Sequence, residues 1–419
     1  MTGPIAKGTI RTTFVLGLYA AVQAGTLLLV ARMLGPRQFG AFAGIASLAV
    51  LLGTLSTFGT HIVLLGEVAR NPAQRARVLP YAIPVTLLCG AVLLAIYCGI
   101  ALLALGRLGL GWGIVVSIGA TELWLQPLFN LHVAEHHGLG RIARSQLLKT
   151  LPLALRLVTA AAIVIAHARN PLATYAFAYP AVSLAALAAA MRLSPAAWPG
   201  PRRWRLPARA ELRNSTGYAA LTMTAAGSGE LDKTLAADLL PLSMAGVYSV
   251  AARVVTATTL PVNAMLSAAL PRLFRDGSEQ RQHGNRLLVQ ILAITFAYMI
   301  VVSAVLWAIA PVFDWLFGAK YGGLDHTIRW LCIAAPGLAL RMAAGTILMA
   351  VGKPWVRVGF EVVGLAVLIA ASIVLTRTLG ALGMPLALAA SEWVMAIIGI
   401  GLVFTRPAAV RPHAPAGRK

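Results

Sequence analysis

The stretch Gly229–Leu240, GELDKTLAADLL, places Glu230, Asp232, Lys233 and Asp238 inside an apolar context that runs from about Tyr218 to Ala252. Ionisable side chains away from water are costly, and they persist where they meet a partner or a hydrated cavity. At 100° per residue, Glu230, Lys233 and Asp238 share one helix face, and Asp232 points roughly opposite, toward a different neighbour. Further ionisable residues lie within apolar runs: Glu122, Arg156, Arg253, Arg341 and Glu392. At a rise of about 1.5 Å per residue, Lys233 lies about 10 Å from the outer end of its helix, and Arg253, on the next antiparallel helix, about 12 Å from the same end. Two cations at one depth on neighbouring helices make an anion site. Glu122, Arg341 and Glu392 fall near mid-depth, and Arg156 nearer the cytoplasm. Salt bridges that fix helix register are the alternative, for example Glu230 with Lys233 at i,i+3. The acids at matching depths are too few to pair every base, so a polar central cavity fed by both halves is expected.

Such a cavity needs helices around it. The 419 residues are 59% hydrophobic and 11% charged, with a mean hydropathy of +0.79, against about 25% charged in a soluble domain. Runs of roughly 20 apolar residues, enough to cross a ~30 Å hydrocarbon core, recur from end to end. They are continuous rather than alternating, so they are helices, which satisfy their own backbone in lipid. Twelve spans are predicted near 12–34, 41–65, 80–104, 111–133, 148–167, 171–191, 214–240, 245–270, 287–311, 329–350, 357–377 and 382–404. The first is too long for a signal-peptide core and is expected to be retained. The longest connection is the Pro- and Arg-rich segment around SPAAWPGPRRWRLPAR. The expected organisation is an N-terminal six-helix lobe at 1–195, a cytoplasmic linker at 196–213, and a C-terminal lobe at 214–419 with a short cytoplasmic tail.

With the N-terminus inside, 24 Lys and Arg fall on the cytoplasmic side, 7 fall in outer loops and 4 lie within spans. This asymmetry places both termini in the cytoplasm. It also accounts for the formal charge of +22 without nucleic acid, for which there is no soluble module. Cys89, Cys98 and Cys332 all lie in apolar runs and form no disulfide framework.

Residues 31–43, ARMLGPRQFGAFA, align without gaps on 237–249, ADLLPLSMAGVYS, at an offset of 206. Ala, Leu, Gly and an aromatic coincide, once between spans 1 and 2 and once between spans 7 and 8. Six spans per repeat is an even number, so both halves enter the membrane in the same direction. That predicts two parallel bundles about an axis along the membrane normal, with a midplane site between them.

Other motifs carry less. His132 and His136 in HVAEHH have i,i+4 ligand spacing, but an interfacial polar helix end explains them better than a metal. Trp198 and Trp204 in the linker suggest a segment resting on anionic lipid headgroups, or a solvated loop. No Gly-rich phosphate loop precedes a Lys-Ser/Thr pair, and no nucleophile–base set falls in a soluble domain. Neither a cofactor nor enzymatic activity is expected.

ARMLGPRQFGAFA resembles the "A-R-x-L-G-P-x-x-F-G" signature of the polysaccharide (O-antigen type) flippases, members of the multidrug/oligosaccharidyl-lipid/polysaccharide exporter superfamily. ELDKTLAADLLPLSMAGVYSVAARV with LPRLFR, LFGAKYGG and LGALGMPLALA are similar to later parts of that family's pattern. The resemblance implies an all-α membrane protein of twelve helices, in two six-helix bundles forming a V around a central cavity. It also implies alternating access, a bacterial inner (cytoplasmic) membrane location, and a polyprenyl-pyrophosphate-linked oligosaccharide of the undecaprenyl type as substrate. Cationic cavity residues for the pyrophosphate map onto Lys233 and Arg253, then Arg341 and Arg156. A carboxylate coupling transport to H+ or Na+ maps onto Asp232, with Glu122 and Glu392 chosen by depth. The chain is short for the family and shows no extra C-terminal helices, which sets it apart from fourteen-helix lipid II flippases. Two rivals remain. A cation-coupled multidrug exporter of the same superfamily wants an acidic cavity, and a glycan polymerase or ligase wants a large outer loop.

Overall fold

The structure, a computed structural model, describes residues 4–103, 109–194, 197–267, 269 and 281–405. Among these there is no strand. The N-terminal half comprises α1 (Pro4–Ser56), α2 (Thr60–Arg70), α3 (Arg75–Leu103), α4 (Trp112–Ala120), α5 (Gln126–Gly138), α6 (Ile142–Ile165) and α7 (Pro171–Leu193). The C-terminal half begins with α8 (Arg209–Leu239), α9 (Leu242–Ala257) and α10 (260–267). It continues with α11 (Arg281–Phe317), α12 (Leu324–Leu331), α13 (Ala334–Ala350), α14 (Pro354–Leu379) and α15 (Gly383–Phe404).

Among the described residues, seven stretches are long and apolar enough to cross a membrane, or eight if the bent pair α12–α13 counts as one span. Two of the seven, Gly17–Ser56 and Pro354–Phe404, each hold two predicted spans. The polar content of α8 hides it from a hydropathy criterion, although it is 31 residues long. With α8 and with α9–α10, the twelve predicted passes all have helices.

The irregularities have local causes. Gly35 breaks α1 with φ 69° and ψ 168°, a conformation a side chain would resist. Pro36 then opens a second arm, since it needs no N–H partner there. The predicted second span is therefore this arm plus α2, interrupted at Thr57–Gly59, and not one continuous helix. The fourth span is α4 and α5 joined through a π-turn at Thr121–Leu125. The tenth breaks between α12 and α13 with a 42° bend. There the Trp393 indole donates to the Ile333 carbonyl at 2.9 Å, which satisfies backbone freed by the break.

Helices in lipid gain little from apolar burial against one another, so close backbone packing and polar contacts carry association. The second arm of α1 runs antiparallel to α8. A Cβ on Gly44 would press on Ala237, and one on Gly59 would lie 2.5 Å from the Ser215 carbonyl oxygen. Thr234 Oγ1 donates to the Gly44 carbonyl at 3.3 Å. The halves thus approach closely along α1, α2 and α8 at Gly44 and Gly59.

The linker is not loose. Arg205 N donates to Pro80 O at 3.0 Å, and its guanidinium lies 4.9 Å from the Tyr81 ring centroid while bonding both oxygens of Glu211 at 2.7 Å. Trp198 stacks on His132 with centroids 4.0 Å apart and planes at 13°. Trp198 is therefore held by the N-terminal half and not by lipid, while Trp204 remains exposed. His132 Nδ1 meets Ser194 Oγ at 2.8 Å, and Glu135 beside it is paired with Arg75. His132 thus serves the linker attachment, whereas both ring nitrogens of His136 are buried without a partner.

Candidate functional site

Of the charges singled out in the sequence, Glu122, Arg156, Asp232, Lys233, Arg341 and Glu392 fall into three groups. In the N-terminal half, the π-turn turns Glu122 inward toward α6 and α7. Its Oε1 accepts from Tyr179 OH at 2.6 Å and from Arg156 Nη2 at 3.3 Å. The Arg156 guanidinium lies 3.8 Å from the Tyr179 ring centroid and donates to Ser183 Oγ at 3.3 Å. Its Nε is buried without a partner, so one donor of a cation near the junction is left over.

The second group is on α8. Lys233 donates to Gly229 O and to Asp232 Oδ1, the latter at 3.2 Å. Tyr248 OH of α9 donates to Asp232 Oδ2 at 2.9 Å. The expectation that Asp232 and Lys233 face different neighbours fails. The flexible Lys233 stem folds back along α8 and brings its ammonium to the adjacent residue, which ideal helix angles do not anticipate. Lys233 is correspondingly buried and turned to other partners than Arg253.

The third group lies inside the C-terminal half. Arg341 Nε donates to Glu392 Oε2 at 2.6 Å, and its Nη1 is 3.6 Å from Glu361 Oε1. Glu361 also accepts from Arg357 at 2.9 Å and from Thr224 at 2.6 Å. Two arginines and two carboxylates thus neutralise one another between α8, α13, α14 and α15. The sequence reading counted too few acids because Glu361 was passed over. It lies within the predicted span 357–377 and gave the same signal as Glu392.

Arg253 differs from all of these. It is half-buried on α9, and its guanidinium lies 5.8 Å from the Phe39 ring centroid of the other half. Among the described residues it has no carboxylate partner. Phe39 begins an aromatic ladder into the N-terminal half: Phe39–Phe42 at 6.4 Å, Phe42–Tyr175 at 5.7 Å and Tyr175–Tyr179 at 5.9 Å between centroids. The fold therefore brings one cation from each half to a shared aromatic junction. The pair predicted from depth is Lys233 with Arg253; the ladder instead carries Arg253 at its Phe39 end and Arg156 at its Tyr179 end. The i,i+4 spacing of Tyr175 and Tyr179 was the available signal for the ladder.

The chain matches the family described as polysaccharide biosynthesis protein over residues 5–275. It belongs to that family. No curated protein sequence matches it. Among solved structures, it is similar to an inward-facing multidrug resistance MATE family transporter of the MOP superfamily, with TM-score 0.74 and 16% identity, covering 92% of this chain and 93% of that one. The outward-facing conformation of such a transporter gives TM-score 0.63 at 15% identity, covering 94% and 93%. A MOP superfamily transporter from Pyrococcus furiosus, whose binding pocket has reversed polarity, gives TM-score 0.66 at 16% identity, covering 94% of each chain. At these identities the likeness establishes the fold: this family member has the two-lobe, all-helical architecture of the MOP superfamily and is a multi-pass membrane protein.

Proposed function

We propose that this protein flips a polyprenyl-pyrophosphate-linked oligosaccharide across the bacterial inner membrane by alternating access. The family and the MOP fold support a carrier of glycan precursors. The observation that carries the substrate class is Arg253, a half-buried cation at the junction of the halves with no carboxylate partner among the described residues, with Arg156 at the far end of the same aromatic ladder. A diphosphate in a low-dielectric cleft calls for more than one cation, and guanidinium groups bind phosphate through directed, charge-assisted hydrogen bonds. The Tyr175–Phe39 ladder offers apolar and stacking surface beside them, while the polyprenyl tail remains in lipid. A cationic drug would need free acids; Asp232, Glu122, Glu361 and Glu392 each already bond a cation, which leaves Glu230 and the exposed Asp238 as the acids of the 229–239 stretch of α8 without an ion pair among the described residues. In this reading the lobes divide near the linker at 196–213, and Asp232, Lys233, Arg341 and Glu392 hold the helices that line the path.

Export of surface glycan in a strain lacking the native gene tests the proposal. Arg253→Ala is expected to abolish export while the protein still inserts, and Arg253→Lys to retain part of it. Full export by Arg253→Ala would remove Arg253 from the path and the substrate reading with it.

A further inference from the structure

The two halves of the internal repeat touch each other at matched residues. At the offset of 206, Gly40 corresponds to Gly246 and Pro36 to Leu242. A Cβ built on Gly40 would press on the Leu242 carbonyl oxygen and lie 2.7 Å from Gly246 N and 3.2 Å from Gly246 Cα. A Cβ on Gly246 would press on the Pro36 carbonyl oxygen and lie 2.7 Å from Pro36 C and 3.0 Å from Pro36 Cα. Exchanging each residue for its repeat partner converts the contact of Gly40 with the Leu242 carbonyl oxygen into that of Gly246 with the Pro36 carbonyl oxygen. This is the pattern of an isologous contact, in which one patch meets its own equivalent across a twofold axis. The local axis of the repeat therefore passes between Gly40 and Gly246, where backbone meets backbone.

The contact lies where the α1 turn and the start of α9 meet, the outer end in the charge-based topology. Tyr321 OH, from the turn after α11, donates to Ala31 O at 2.9 Å at the same end. One α-helical rise from Gly246 to Arg253 is about 10 Å, so the contact caps the cation junction from outside.

We propose that Gly40 and Gly246 are the closing contact of the outer gate, positioning residues that let the halves seal above Arg253 because neither carries a side chain. The proposal rests on the alternating-access reading. It makes no use of the identity of the substrate.

Spin labels at Gln38 and Met244, exposed residues matched by the repeat, report the outer spacing in the full-length protein in lipid. Labels at Arg70 and Arg213, also exposed, report the inner spacing. Relieving the overlap requires the contact to open by at least about 1 Å, given carbon contact distances of 3.5–4.0 Å. Gly40→Ala and Gly246→Ala are therefore each expected to lengthen the outer distance and shorten the inner one. Gly17→Ala, whose Cβ would meet nothing within 4 Å, is expected to change neither. Alanine otherwise favours a helix over glycine, so a slack contact would leave both distances unchanged, and that result overturns the proposal. Lengthening at both ends also overturns it, because the glycines would then only hold the halves together. Should one alanine variant fail to insert, the other carries the same reading by symmetry. Full export by Arg253→Ala, which would sink the substrate reading, would leave these distances untouched, so the two failures are distinguishable.

Discussion

Removing the Arg341–Glu392 pair as a unit should leave the protein stable and active, whereas removing either member alone should not. Arg341 and Glu392 are almost fully buried. Breaking a buried pair by deleting one partner costs about 3–5 kcal/mol, because the other charge stays behind in a poor solvent for it. Glu392→Leu leaves Arg341 with Glu361 at 3.6 Å, so about 3 kcal/mol is expected. Arg341→Leu leaves Glu392 without its cation, so the loss should lie nearer 5 kcal/mol by the same scale. The double variant strands nothing, because Glu361 keeps Arg357 at 2.9 Å and Thr224 at 2.6 Å. It should fall within about 1 kcal/mol of the parent, where simple additivity would give about 8. Thermal unfolding of the four detergent-solubilised proteins completes the cycle, and surface glycan export in cells is read in parallel. A double variant destabilised by the sum of the singles would refute the neutralised-network reasoning. A stable double variant without export would show that the pair acts on substrate or coupling ion.

Three further outcomes follow from the same geometry. Arg156→Lys should retain charge but lose the stack over Tyr179 at 3.8 Å, and export should fall more than folding does, since Arg and Lys are not equivalent at a stacked site; equal export would remove Arg156 from the path. Trp198→Ala should release the linker from His132, and tryptic cleavage at Arg202 and Arg203 should quicken about 2- to 10-fold, the equivalent of a 0.5–1.5 kcal/mol aromatic contact; unchanged cleavage would mean that other contacts hold it. The Arg205 guanidinium holds the Glu211 carboxyl below its usual range. A carboxyl so depressed contributes to linker docking above its ordinary titration range, and the contribution is lost as pH falls through the lowered value. Glu211→Gln at neutral pH should reproduce that loss as faster linker cleavage, and no change would discount the bond.

Composition and span length sufficed for the architecture, because twelve apolar runs in lipid admit only helices. The offset of 206 located the glycine contact as a sequence echo, although its meaning required coordinates. Pairing was less legible. Depth along an ideal helix placed Lys233 beside Arg253, but a lysine stem spans several residues and found Asp232 next door. The Arg341 network needed Glu361, which only packing of α14 against α13 and α15 brings within reach. Breaks at Thr57–Gly59 and at Cys332–Ile333 were likewise invisible to a hydropathy window, whereas that at Gly35 falls between the predicted spans 12–34 and 41–65. In the aromatic ladder the i,i+4 spacing of Tyr175 and Tyr179 was a legible signal, but Phe42 and Tyr175 lie far apart in sequence, and no local pattern predicts that those rings meet.

Direct binding of an undecaprenyl-pyrophosphate lipid to the purified protein, compared with the same lipid lacking phosphate, bears most closely on the cation junction. A hydrogen bond to a charged group contributes about 1.5–3 kcal/mol, so Arg253→Ala should weaken the phosphorylated lipid about 10- to 100-fold and leave the phosphate-free lipid unchanged. Equal binding of the phosphorylated lipid by parent and variant would contradict the assignment of Arg253 to the pyrophosphate.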